Sequence, residues 1–180
     1  MNEVTSPGLT VLDRPNSYIG RSVPRPNLRR LTEGRGQFVS DLSLPRMVHV
    51  AFVRSPYAHA RILGIDTSAA KAAPGVVAVV TGKELAEVMT PWVGVLSHLK
   101  GLKSAPQYAI AIDRACWQGE AVAAVVARTR AEAEDAAELV AVEYEELEPV
   151  VDPEAALAPG AKVIHPELGD NLAFERVLDA

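Results

Sequence analysis

The stretch Glu120-Ala121-Val122-Ala123-Ala124-Val125-Val126-Ala127 constrains this chain more than any other. Seven of its eight residues are apolar and nothing alternates, so as a strand it is buried on both faces. Thr129-Arg130-Ala131-Glu132 follows with capping-box spacing, in which the threonine oxygen accepts from the N3 amide and the glutamate accepts from the threonine's own amide. The helix opened there places Ala133, Ala136, Ala137 and Val140 on one face, with Glu134, Asp135 and Glu138 mostly opposite. Such small contact residues imply close packing on a sheet. Val142-Glu143-Tyr144-Glu145 then alternates as a strand with a solvated face carrying Glu143 and Glu145. The result is a strand-helix-strand unit, right-handed if its strands are parallel.

Upstream, Met47-Val48-His49-Val50-Ala51-Phe52-Val53 is a strand ending at the turn Arg54-Ser55-Pro56, and Arg61 to Asp66 is a second. Residues 67–73 form a short helix, capped by Asp66 or Thr67 and stopped by Pro74-Gly75. Val76 to Val80 is an apolar strand, and Thr81-Gly82-Lys83-Glu84 is a second capping box opening a helix to about Met89. Residues 90–108 are a long loop, a length that in a compact domain usually serves a function or faces a partner. Residues 1–36, punctuated by four prolines and four glycines, are expected as an irregular extended arm. Residues 37–152 form the domain proper, and 153–180, again proline-marked, a tail or linker.

With 180 residues, 48 % apolar and 23 % charged, one core is large enough to need no disulfide or metal staple. A single cysteine, Cys116, excludes an internal disulfide. Net charge of −5 has the wrong sign for a nucleic-acid binder, and no apolar run approaches a membrane span. The first residues lack a secretory pattern, so the expectation is a cytoplasmic globular domain with neither nucleic acid nor membrane as partner.

No catalytic constellation emerges from the residues. His49, His59, His98 and His165 lack metal-ligand spacing. Cys116 reads as a structural thiol rather than a nucleophile. Gly34-Arg35-Gly36 lacks the third glycine of a dinucleotide loop and follows no strand. No serine sits in a nucleophile elbow, and Glu143, Glu145, Glu146 and Glu148 read as a solvated strand edge rather than an acid-base pair. The catalytic, cofactor-binding and metal residue sets are accordingly all expected to be empty. Arg21, Arg25, Arg29, Arg30 and Arg35 are expected to meet carboxylates of this chain or of a partner.

An ordered series of segments resembles a known family. It runs from Ile19-Gly20-Arg21 through Leu28-Arg29-Arg30-Leu31-Thr32-Glu33-Gly34-Arg35-Gly36, then Leu44-Pro45-Arg46-Met47 and Arg54-Ser55-Pro56-Tyr57-Ala58-His59-Ala60-Arg61-Ile62. It continues through Ile65 to Ala70, Pro74-Gly75-Val76, Gly119-Glu120-Ala121-Val122-Ala123, Thr129 to Val140 and Val150-Val151-Asp152-Pro153-Glu154. Together these resemble the N-terminal α/β hammerhead domain of molybdenum hydroxylase large subunits in the xanthine dehydrogenase and aldehyde oxidase family, nearest to the aerobic carbon monoxide dehydrogenase large-chain type. Departures are Pro26-Asn27 in place of a Glu-Asp pair, Phe38 in place of tyrosine, and Ala121 in place of proline.

The resemblance implies an α+β hammerhead: a mixed sheet with short helices packed on it, preceded by the arm. It implies a structural or assembly domain, or split subunit, of a molybdopterin-dependent oxidoreductase whose catalytic residues lie outside this chain. Molybdenum would sit in a partner large-subunit domain or chain, and FAD and 2Fe-2S clusters on further subunits or domains. Interface candidates are Arg21, Arg25, Arg29, Arg54, His59, Arg61, Gln118, Gly119 and Glu120. The alternative is a free-standing hammerhead binding module without enzymatic activity.

Overall fold

In the computed structural model, residue 18 and residues 23–96 and 98–177 are described. Arg21 therefore lies outside the described residues. The chain divides into two compact units, Met1–Pro45 and Arg46–Ala180.

In the first unit the expected extended arm contains a short helix, α1 (Leu28–Thr32). Asn27 starts it after Pro26, and the Arg29 guanidinium reaches the Glu33 carboxylate at 2.7 Å, one turn on. Arg35 pairs with the same carboxylate, so two of the arm's arginines do meet an acid of this chain. A 3-10 turn follows at Val39–Asp41.

In the second unit the elements are β1 (His49–Arg54), β2 (Ala60–Asp66), α2 (Ser68–Ala72), β3 (Val76–Thr81), α3 (Gly82–Ala86), β4 (Arg114–Ala115), β5 (Ala121–Ala127), α4 (Arg130–Ala137) and β6 (Ala141–Glu146). They build two three-stranded sheets, ordered β1-β5-β3 and β4-β2-β6, antiparallel at every recorded pair. The handedness expected of parallel strands therefore does not arise. β5 and β6 flank α4 in sequence but lie in different sheets, because each pairs antiparallel with an earlier strand.

β5 is the central strand, and its residues Val122 to Val125 are all buried, as the lack of alternation required. One face of its sheet carries Val79, Ala123 and Val125 against Ala70 of α2, Ala136 of α4 and Val140. The alanines let α4 approach closely, and the Thr129–Glu132 box closes its first turn: Thr129 N–H donates to Glu132 Oε2 at 2.9 Å and Glu132 N–H to Thr129 Oγ1 at 3.2 Å. The Thr81–Glu84 box opens α3 in the same way. That helix ends at Ala86 rather than near Met89, although Met89 N–H still reaches the Leu85 carbonyl. Asp66, not Thr67, caps α2, accepting from Ser68 N–H at 2.9 Å.

Gly82 sits where a Cβ would stand 2.1 Å from the Ala111 carbonyl oxygen, so only glycine allows that backbone approach. The 90–108 loop is as long as expected and is tied across itself: Trp92 and Gln107 exchange backbone hydrogen bonds, each 2.8 Å. The expected tail folds onto it, with Lys103 N–H donating to the Ala173 carbonyl and the Lys103 ammonium on Asp170 at 2.6 Å. Among the described residues no helix is long and apolar enough to cross a membrane.

Candidate functional site

β-Strand alternation splits the β1-β5-β3 sheet into two faces. Away from the helices, the register aligns Val50–Val126–Ala78 in one row and Phe52–Ala124–Val80 in the next. All six residues are apolar. Val50 is 52 % exposed and Phe52 48 %, on a face where one packed against its own chain would be closed. Val48 extends the patch at 45 %. The sequence signal was the apolar residues Val48, Val50 and Phe52 at alternate positions, where a solvated face would carry polar ones.

At one end of this face stands a built corner. The Arg54 guanidinium stacks 5.5 Å from the Phe52 ring and donates to the Gly119 carbonyl at 2.8 Å. Ser55 N–H donates to the Glu120 carbonyl, and Gly119 N–H to the Ser55 carbonyl, at 2.8 and 2.9 Å. The structure thus brings Arg54 together with Gly119 and Glu120, which are 65 residues or more away in sequence; Gln118 is exposed beside them. Arg61 is exposed and pairs with Glu145, its cross-strand neighbour on β6. Arg25 and Arg29 are exposed in the first unit.

His59 and Glu120 are 2 % and 9 % exposed, so within this chain both side chains turn inward. His59 Nδ1–H donates to the Glu148 carbonyl at 2.9 Å, fixing the start of β2 to the segment after β6, and its Nε2 has no partner among the described residues. The Tyr144 hydroxyl is likewise buried and without a partner among the described residues, its ring edge-on to Tyr57 at 5.3 Å.

Glu120 instead lines a cavity of about 310 Å³ with Tyr108, Asp113, Arg114, Cys116, Trp117, His165 and Glu167 among its walls. Its Oε2 accepts the Cys116 N–H at 2.6 Å. Burial pushes the Glu120 carboxyl above its ordinary range, against the opposing pull of the Cys116 and Trp117 amides and the Arg114 charge. Burial also raises the Cys116 thiol, with the neighbouring Glu120 charge adding to the effect. A thiol so placed is held protonated, consistent with the structural role expected of it. Of the cavity, sequence reasoning singled out Cys116, Glu120 and, as a weighed metal ligand, His165, and missed the rest. Among the described residues no three His, Cys, Asp or Glu side chains converge to hold a metal ion.

The family described as "Aldehyde oxidase and xanthine dehydrogenase, a/b hammerhead domain" matches residues 33–148. The carbon monoxide dehydrogenase large chain of Afipia carboxidovorans is 38 % identical over 174 residues, covering 96 % of this chain and 21 % of that one. The crystal structure of quinoline 2-oxidoreductase from Pseudomonas putida 86 superposes with a TM-score of 0.76 at 44 % identity, over 86 % of this chain and 19 % of that chain. A Cu,Mo-CO dehydrogenase structure superposes at 0.69 with 39 % identity, again over 86 % and 19 %. The chain thus spans about a fifth of the length of these relatives.

Proposed function

Because the chain belongs to the aldehyde oxidase and xanthine dehydrogenase a/b hammerhead family, we propose that it is the structural hammerhead piece of a molybdenum-dependent oxidoreductase. It matches the hammerhead domain of molybdenum hydroxylase large subunits and carries the α+β architecture of that domain. In this reading it packs on the molybdopterin-binding part of the enzyme, as a domain or split subunit spanning residues 37–152 with the arm before and the tail after. FAD and 2Fe-2S clusters belong to further subunits or domains. The described residues do not fit the molybdenum group: among them no metal donors converge, and the carboxylate-rich cavity opposes a phosphate-bearing pterin. No chemical step is therefore assigned to them.

The observation that carries the reading is the apolar outer face of the β1-β5-β3 sheet. A sheet needs its apolar faces covered; away from the helices Val122 and Ala124 of β5 are closed in, while the β1 edge at Val48, Val50 and Phe52 stays half-exposed. Three apolar strands side by side with a half-exposed phenylalanine are costly in water and signal an interface. The Arg54–Gly119 corner supplies a polar rim, as interfaces have. Arg25, Arg29, Arg61 and Gln118, all exposed, are the remaining proposed contacts.

The test is to tag the chain at its native locus, purify it under native conditions, and measure co-purifying proteins and molybdenum per chain. Near-stoichiometric molybdenum in one assembly with the hammerhead bears the proposal out. A metal-free monomer overturns it and leaves a free-standing hammerhead module.

A further inference from the structure

β1 lies at the edge of its sheet: among the described residues it pairs with β5 alone. Ser55 N–H donates to the Glu120 carbonyl and Gly119 N–H to the Ser55 carbonyl, so the Ser55 backbone faces the β5 side. Backbone direction alternates residue by residue along a strand, so Ala51 and Val53 also face β5, while Val50 and Phe52 turn their N–H and C=O groups to the outer edge. Among the described residues no backbone group bonds to them there. The same two residues carry the half-exposed apolar side chains.

Sheet edges are ordinarily blunted by charges or proline within the strand. β6, an edge of the other sheet, carries Glu143, Glu145 and Glu146 in that way. From Val50 to Val53 β1 carries neither. The charge around it is of one sign: residues 42–65 contain no acid, Arg46 precedes β1 and Arg54 ends it. The Arg54 guanidinium is held in place by the Gly119 carbonyl and the Phe52 ring, and among the described residues it forms no ion pair.

We infer that β1 accepts an added strand from the molybdopterin-binding part of the enzyme: an extended segment, apolar beside Val50 and Phe52, with a carboxylate against Arg54. The inference rests on the assembly reading and specifies how the two parts join. The added backbone pairs with the outward groups of Val50 and Phe52, and its side chains cover the exposed valine and phenylalanine.

The test places Val50→Pro and Val50→Ala at the native locus and measures molybdenum recovered with each chain. Proline removes the outward N–H and spares the β5 ladder, as an edge strand tolerates, whereas alanine keeps the N–H and trims the apolar surface. Expected is a loss of about tenfold or more for Val50→Pro and a smaller one for Val50→Ala. Circular dichroism of each purified 180-residue chain checks its fold. Residue-resolved hydrogen exchange of the unsubstituted chain needs no variant. The Val50 and Phe52 amides should exchange freely in the isolated chain and at least about tenfold more slowly in the assembly, with Ala51 and Val53 slow in both. Molybdenum recovered equally with a folded Val50→Pro chain, a loss in Val50→Ala as large as in Val50→Pro, or unchanged exchange at Val50 and Phe52 overturns strand addition and leaves the assembly reading standing. A metal-free unsubstituted chain overturns both.

Discussion

Val125→Ala and Phe52→Ser strike opposite faces of the same three strands, and they should behave oppositely. Val125 is fully buried beside Ala70, Val79, Ala136 and Val140. Losing its two methyls costs about 1.6 kcal/mol of transfer energy. The cavity left among stiff neighbours brings the cost to about 2–3 kcal/mol. Phe52 already stands 48 % in solvent, so serine there forfeits only about 1 kcal/mol of burial. Its exposed stacking with Arg54 adds about 0.5 kcal/mol. Urea unfolding of the isolated chain, followed by circular dichroism, should lower the midpoint roughly one and a half to two times as far for Val125→Ala. In assembly the order reverses. The exposed half of a phenylalanine is roughly 100 Å², about 2.5 kcal/mol on docking at 25 cal/mol per Å², or about 70-fold in affinity. Co-purification of the partner should therefore collapse for Phe52→Ser and persist for a folded Val125→Ala chain. Equal destabilisation by the two substitutions would show that the outer face is covered within the chain, and the reasoning for an interface would fail.

Glu120 is held above its ordinary value by burial, so its folded form keeps a proton that the unfolded chain releases. The chain should therefore lose stability as pH rises from the ordinary carboxylate range through the raised value, and Glu120→Gln should flatten that slope in urea titrations across pH 4–8. Gly75→Ala should destabilise by about 1–2 kcal/mol: the backbone there is left-handed at φ +77°, and a Cβ would stand 2.1 Å from the Glu132 carboxyl that caps α4. Thermal melts of Gly75→Ala beside Thr129→Ala, expected at about 1 kcal/mol, measure both halves of that contact. Cys116, raised by burial, should react with a disulfide reagent at pH 8 more slowly than free cysteine and recover the ordinary rate in urea.

Local chemistry was legible in the residues themselves. Both capping boxes, the α4 alanine face, the buried central strand and the exposed Glu143 and Glu145 edge lie where spacing put them. The ordered segments from Ile19 to Glu154 also carried the family. Pairing was not legible. Periodicity says which side of a strand is apolar and nothing about its neighbour, so the placing of β5 and β6 in separate antiparallel sheets had to come from three dimensions. The same holds for the site. Arg54 meets Gly119 across 65 residues, His59 turns inward to the Glu148 carbonyl, and Tyr108 meets Trp117 and Glu120, which share the β4–β5 turn, at one cavity. Sequence determined the elements and the family, since both rest on contacts between near neighbours and on steric limits at single residues. Tertiary structure alone decided which apolar edge stays half-exposed and which acid is buried, because both depend on what the rest of the chain leaves beside them.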